Sequence, residues 1–120
     1  MGNAPRMPGG GGLKIIWENP APDEPFSAQT ISVPNVKKYK YILIGFRGTS
    51  GAISSAVIST SKQGTQYVVC TEHVVFVERN ISVNTDALVF GDAIMYTTYG
   101  QAASAVNNRT AVPIVVLGIK

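Results

Sequence analysis

The chain has 120 residues with one Cys, one His and one Trp, and ten basic residues against seven acidic ones give a formal charge of +3. That length suits one domain, or a small domain that completes its core against copies of itself. A lone Cys70 excludes an internal disulfide framework, no Cys/His cluster is present to hold zinc, and no apolar run approaches the roughly 20 residues of a membrane helix.

Charged residues make up 14% of the chain against about 25% in an average globular protein, while 45% are hydrophobic. A small domain has much surface for its volume and should carry more charge than this, not less. Either Ser, Thr, Asn and Gly cover the surface or part of it is buried against another chain, and the second reading is favoured.

Residues 1–12, ending in four consecutive glycines, offer nothing to pack and read as a leader or as an anchor for a partner. They show no charged-then-apolar signal pattern, and Arg6 stands where a myristoylation motif needs Ser or Thr. The domain proper is expected over 13–120. Leu13, Ile15 and Trp17 alternate with Lys14, Ile16 and Glu18, which predicts a strand with one strongly apolar face. Three prolines in Asn19–Pro25 forbid a helix or a central strand, and Phe26 is expected to tuck into the core. Gln29–Val33 reads as a strand closed by a turn at Pro34-Asn35.

Lys40–Arg47 is the clearest strand, with Ile42, Ile44 and Phe46 on one face and Tyr41, Leu43, Gly45 and Arg47 on the other. Further strands are expected at Ile53–Thr60, Gln66–Thr71, His73–Arg79, Ala87–Phe90, Asp92–Thr98 and Val112–Ile119, with turn chemistry at Asn80, Asn84–Asp86, Gly91 and Gly100. Tyr99–Ala111 is the longest segment without a strand pattern, with room for one helical turn. Eight or nine short strands at even spacing predict an all-β, antiparallel sandwich of jelly-roll type. Val74–Val77 and Val112–Ile119 carry apolar residues on both faces, whereas a solvated sandwich strand shows one. Covering the second face takes a neighbouring subunit, so two-fold or three-fold self-association is expected.

Enzyme constellations are hard to assemble. His73 is the only possible imidazole base, and its spacing from Cys70 matches no nucleophile motif. Cys70, in alternation with Val68, reads as a small buried hydrophobe. Asp86 and Asp92 flank a short strand without a calcium-loop pattern, and Gly9–Gly12 lead into no Gly-Lys-Ser/Thr of a phosphate loop. No catalytic residue, cofactor or metal is therefore expected. Lys37-Lys38-Tyr39-Lys40-Tyr41 interleaves basic and aromatic residues, as single-strand binders do, but a net charge of +3 without a second basic stripe argues against a nucleic-acid partner.

The order Trp17-Glu-Asn-Pro-Ala-Pro, Phe26-Ser-Ala-Gln-Thr-Ile31, Tyr39–Arg47, Gly91-Asp92 and the closing Pro113-Ile-Val-Val-Leu-Gly-Ile-Lys120 resembles small β-domains of phage and prophage structural proteins, common at the C-termini of tail, baseplate and fibre components. The resemblance spans 13–120. It implies a homotrimeric β-sandwich built into a virion, as a host-facing tip or a head appendage, with other virion proteins met through residues 1–12. Here only the Gly-rich leader precedes the domain, whereas such domains usually follow a shaft, so either a separate virion protein or a fragment is implied. Tyr96, Tyr99, Gln101, Asn107 and Asn108 are the expected recognition surface, since tyrosines stack on sugars and amides hydrogen-bond to their hydroxyls. Two rivals share the scaffold: a carbohydrate-active enzyme or lectin-like domain, and a nucleic-acid module using Lys37, Lys38 and Lys40.

Overall fold

The computed structural model describes residues 12–61, 64–72, 75–96 and 105–120, so of the expected leader only Gly12 is included. Ten strands form two antiparallel sheets: β1 (Leu13–Glu18), β2 (Gln29–Ser32), β3 (Tyr41–Arg47), β4 (Ile53–Ser59), β5 (Thr65–Glu72), β6 (Val75–Val83), β7 (Ala87–Phe90), β8 (Ile94–Tyr96), β9 (Ala105–Val106) and β10 (Val112–Ile119). The first sheet has the order β1-β10-β3-β4. The second runs β2-β7-β6-β8-β9, with β5 on the free side of β6. The only helical element among the described residues is a 3₁₀ turn, Val36–Lys38. Early and late strands interleave as β1-β10-β3 and β2-β7, as in a jelly roll, while β3-β4, β5-β6 and β6-β7 are sequential antiparallel neighbours.

One buried cluster draws on both sheets. Ile42, Ile44, Phe46, Ile58, Val112 and Val116 come from the first; Ile31, Val68, Val77, Ile81, Leu88 and Phe90 come from the second. Alternation along each strand delivers these side chains to the shared interior. At one open side of the sandwich, Gln66 of β5 clips β4: its Nε2 donates to the Ser59 carbonyl at 2.7 Å and its Oε1 accepts the Ser59 N–H at 3.2 Å.

Besides a bulge at Ile114 between β10 and β3, two others alter the faces expected from simple alternation. Ile15 pairs with Leu117 and Trp17 with Val116, so Ile16 is an extra residue and the strand turns over at that point. Leu13 and Ile15 therefore lie on the outer face and are exposed, whereas Ile16 and Trp17 pack against the core. The single apolar face of Leu13, Ile15 and Trp17 is thus corrected: the three do not share a side. The second bulge sets β6 against β7 and β8. Ile81 pairs with Phe90 and Glu78 with Ile94, so two residues of β6 face three, Gly91 to Ala93. Asn80, expected in a turn, lies inside β6, and Asp92, expected in a strand, lies in the bulge.

Arg79 fastens this bulge to the other sheet. Val77, Arg79 and Ile81 share the inward face of β6, and Arg79 is fully buried. Its Nη1 donates to the Gly91 carbonyl at 2.6 Å, its Nε to Ala111 at 3.0 Å and its Nη2 to Thr110 at 3.3 Å, while its guanidinium lies 5.4 Å from the Phe26 ring centroid. A buried guanidinium is tolerated when carbonyl dipoles replace its water. Ala111 adopts φ 47°, in the left-handed region, next to this junction. The end of β10 has its own steric lock: a Cβ on Gly118 would meet the Tyr39 ring at 2.5 Å.

Candidate functional site

The outer face of the first sheet carries one row that is apolar from edge to edge, flanked by rows in which Ser59, and then Glu18 and Ser55, stand among apolar residues. Ile15, Leu117, Leu43 and Val57 lie opposite one another across all four strands, and the next row holds Leu13, Ile119 and Tyr41. Among the described residues seven large apolar side chains are conspicuously exposed, and five belong here: Leu13 (57%), Ile15 (54%), Tyr41, Ile53 (64%) and Val57 (59%). Strands about 4.8 Å apart make this a patch on the order of 400 Å², at the size where exposed apolar surface marks an interaction site. The both-faces pattern of β10 is accounted for: Val112 and Val116 are buried inward, and Leu117 and Ile119 lie outward.

The expected recognition residues separate. Tyr99 and Gln101 lie outside the described residues. Tyr96 sits half-buried on the outer face of the second sheet, with its hydroxyl 3.4 Å from Glu78 Oε1. Burial first, and the Glu78 charge second, raise its pKa above that of a free tyrosine. Asn107 and Asn108 serve the fold. Asn107 Oδ1 accepts the Arg109 N–H at 3.1 Å. Asn108 Oδ1 accepts the Ala93 N–H at 2.9 Å, its Nδ2 donates to Asp92 Oδ1 at 3.0 Å, and its carbonyl accepts the Phe26 N–H at 2.8 Å. Asp92 Oδ1 also accepts the Ala28 N–H at 2.8 Å. That backbone bond, then the Asn108 amide, hold the Asp92 carboxyl below its ordinary pKa. In the basic cluster, Tyr39 is only 3% exposed and Lys38 lies over its ring, so Tyr39 presents no face for a base.

Pattern reasoning missed a cleft of about 460 Å³ at the other open side of the sandwich, between edge strands β1 and β2. Trp17, Phe26 and Ile31 supply its apolar lining; Asn19, Glu24, Gln29 and Ser32 supply polar groups. The Trp17 and Phe26 rings meet edge to face at 6.4 Å, and Phe26 meets Phe90 likewise at 5.3 Å. The proline-rich loop that walls the cleft is pinned along its length. Asn19 donates through Nδ2 to the Pro113 carbonyl and accepts the Ala21 N–H at Oδ1. Arg47 Nε donates to the Pro22 carbonyl at 2.9 Å, and Phe26 and Ala28 are held from Asn108 and Asp92 as above. A smaller cleft of about 210 Å³, lined by Asp23, Arg47, Thr49 and Arg109, adjoins it through the shared Glu24 and Pro25.

Fold and site define a class: an antiparallel two-sheet sandwich with an apolar row across one outer face and an aromatic-lined cleft at its edge. No family model, curated protein or solved structure matches the chain. No group of three or more His, Cys, Asp or Glu is arranged to hold a metal among the described residues, and no helix there is long and apolar enough to cross a membrane.

Proposed function

We propose that this chain is a non-enzymatic structural protein of a phage virion, whose copies associate through the outer face of the four-stranded sheet into a fibre, appendage or host-attachment part. The observation that carries the reading is the row Ile15–Leu117–Leu43–Val57, four apolar side chains in register with both ends more than half exposed. Removing each such side chain from water contributes about 1.5–3 kcal/mol at full burial. The patch is about half the roughly 800 Å² per partner of a standard interface. It therefore suits an assembly in which each copy meets two others, since each further contact then acts at high effective concentration. The likeness of 13–120 to phage structural β-domains supplies the virion setting and a three-fold arrangement, with the face turned to a common axis.

Sedimentation equilibrium at micromolar concentration tests this. The expected mass is three times that of one chain, falling to one chain when Ile15 and Val57 are both changed to Asp. A monomeric wild-type chain would overturn the reading.

A further inference from the structure

We infer that the cleft between β1 and β2 is a saccharide-binding site, distinct from the assembly face. A sugar ring has an apolar face of C–H groups and a rim of hydroxyls, so its receptor needs an aromatic ring beside carboxylate and amide acceptors. The cleft offers that combination: Trp17 as the aromatic wall, with Glu24, Gln29 and Ser32 around it. Gln29 Nε2 donates to the Ser27 carbonyl at 3.0 Å, which orients the amide.

Its volume falls within the roughly 300–1,000 Å³ of small-ligand sites. The wall is formed in advance, because the loop is tied to β3, β10 and the Asp92–Asn108 pair. Little ordering is left for the ligand to impose, which favours affinity for a small polar molecule. The adjoining cleft beyond Glu24 and Pro25 extends the site past one ring, so oligosaccharides should bind more tightly than single sugars.

Asn108, one of the residues expected at a recognition surface, backs the cleft instead of lining it. Asn108 acts as a positioning residue behind Phe26.

Trp17 is the only tryptophan, so its fluorescence reports on the cleft alone. The test titrates the full chain with glucose-, galactose-, mannose-, N-acetylglucosamine- and sialic acid-terminated oligosaccharides up to millimolar concentration. A saturable change in Trp17 emission is expected with at least one. Glu24→Gln and Gln29→Ala, both exposed positions, should each weaken that binding by about tenfold with an unchanged melting temperature. Trp17→Phe, read by calorimetry, should fold and bind more weakly. Emission that none of the panel alters would overturn the proposal, as would a response only to a proline-rich peptide of sequence Asn3–Pro8. Either failure leaves the sedimentation result, and the assembly it tests, unaffected.

Discussion

The two outer faces of the sandwich are built from the same kind of strand and treat water differently. On the second sheet, Thr65 and Ser82 hydroxyls pair at 3.3 Å, Tyr96 reaches Glu78, and Asn80 stands beside Tyr67. On the first sheet the row Ile15–Leu117–Leu43–Val57 is apolar from edge to edge, and Ser59, Glu18, Ser55 and Arg47 stand only in the rows beside it. A face meant for solvent breaks its apolar rows with groups that hydrogen-bond. A full row without such breaks is finished by another surface. The scarcity of charge in the composition is thus unevenly distributed, and its unevenness is informative.

Breaking the junction between the sheets should have the largest effect. Arg79→Met removes the donor from the Gly91, Thr110 and Ala111 carbonyls, at about 1–3 kcal/mol for each group left unsatisfied. Against a total of about 5–15 kcal/mol, the variant should lose its cooperative urea transition. Gly118→Ala forces a methyl group into the Tyr39 ring and should cost about 1–3 kcal/mol, seen as a lower urea midpoint at unchanged slope. The paired Ile15→Asp and Val57→Asp changes sharpen the contrast from the other side. They should alter the stability of the isolated chain by no more than about 0.5 kcal/mol per site while abolishing self-association, whereas Thr30→Asp on the second sheet should leave the mass unchanged.

The smallest effect concerns acid. The folded Asp92 binds its proton less readily than the unfolded one, so the stability it contributes is present above the ordinary pKa of 3.8 and is lost as pH falls through the lower folded value. Thermal melts should show Asp92→Ala below wild type at neutral pH, with the gap closing below that value.

Much of the fold was legible. The runs Ala87–Phe90 and Val112–Ile119 coincide with β7 and β10, because branched and aromatic residues fill them and Asp86 and Gly91 bound the first. Pro34-Asn35 does turn the chain, with Asn35 at φ 61° and its N–H donated to Asp86. The bulges were not legible. An extra residue leaves no mark in an alternating sequence, since Ile16 fits either face. Asn80 reads as a turn residue in isolation, yet the ladder to β5 runs straight through it.

Arg79 carried a usable signal. Its place between Val77 and Ile81 in a period of two puts it inward, and only the habit of assigning arginine to solvent hid that. The cleft had none. It joins Trp17 to a loop and to β2, and its supports come from residues far along the chain: Asp92 for Ala28 and Asn108 for Phe26. The amide of Asn108 looked available for a ligand because its partners, Ala93 and Asp92, are set by the tertiary fold.

The extra residue at Ile16 gives β1 a point of rotation, so that six residues address two different neighbours. Ahead of it the ribbon shows aliphatic groups to the outside; behind it the indole swings to the edge of the sandwich. Were the ladder to run on without this bulge, Ile16 would stand opposite Val116 and Trp17 opposite Val115 on the outer face, enlarging the sticky plane and emptying the recess at once. The register of this short stretch is therefore far more consequential than its modest burial would imply.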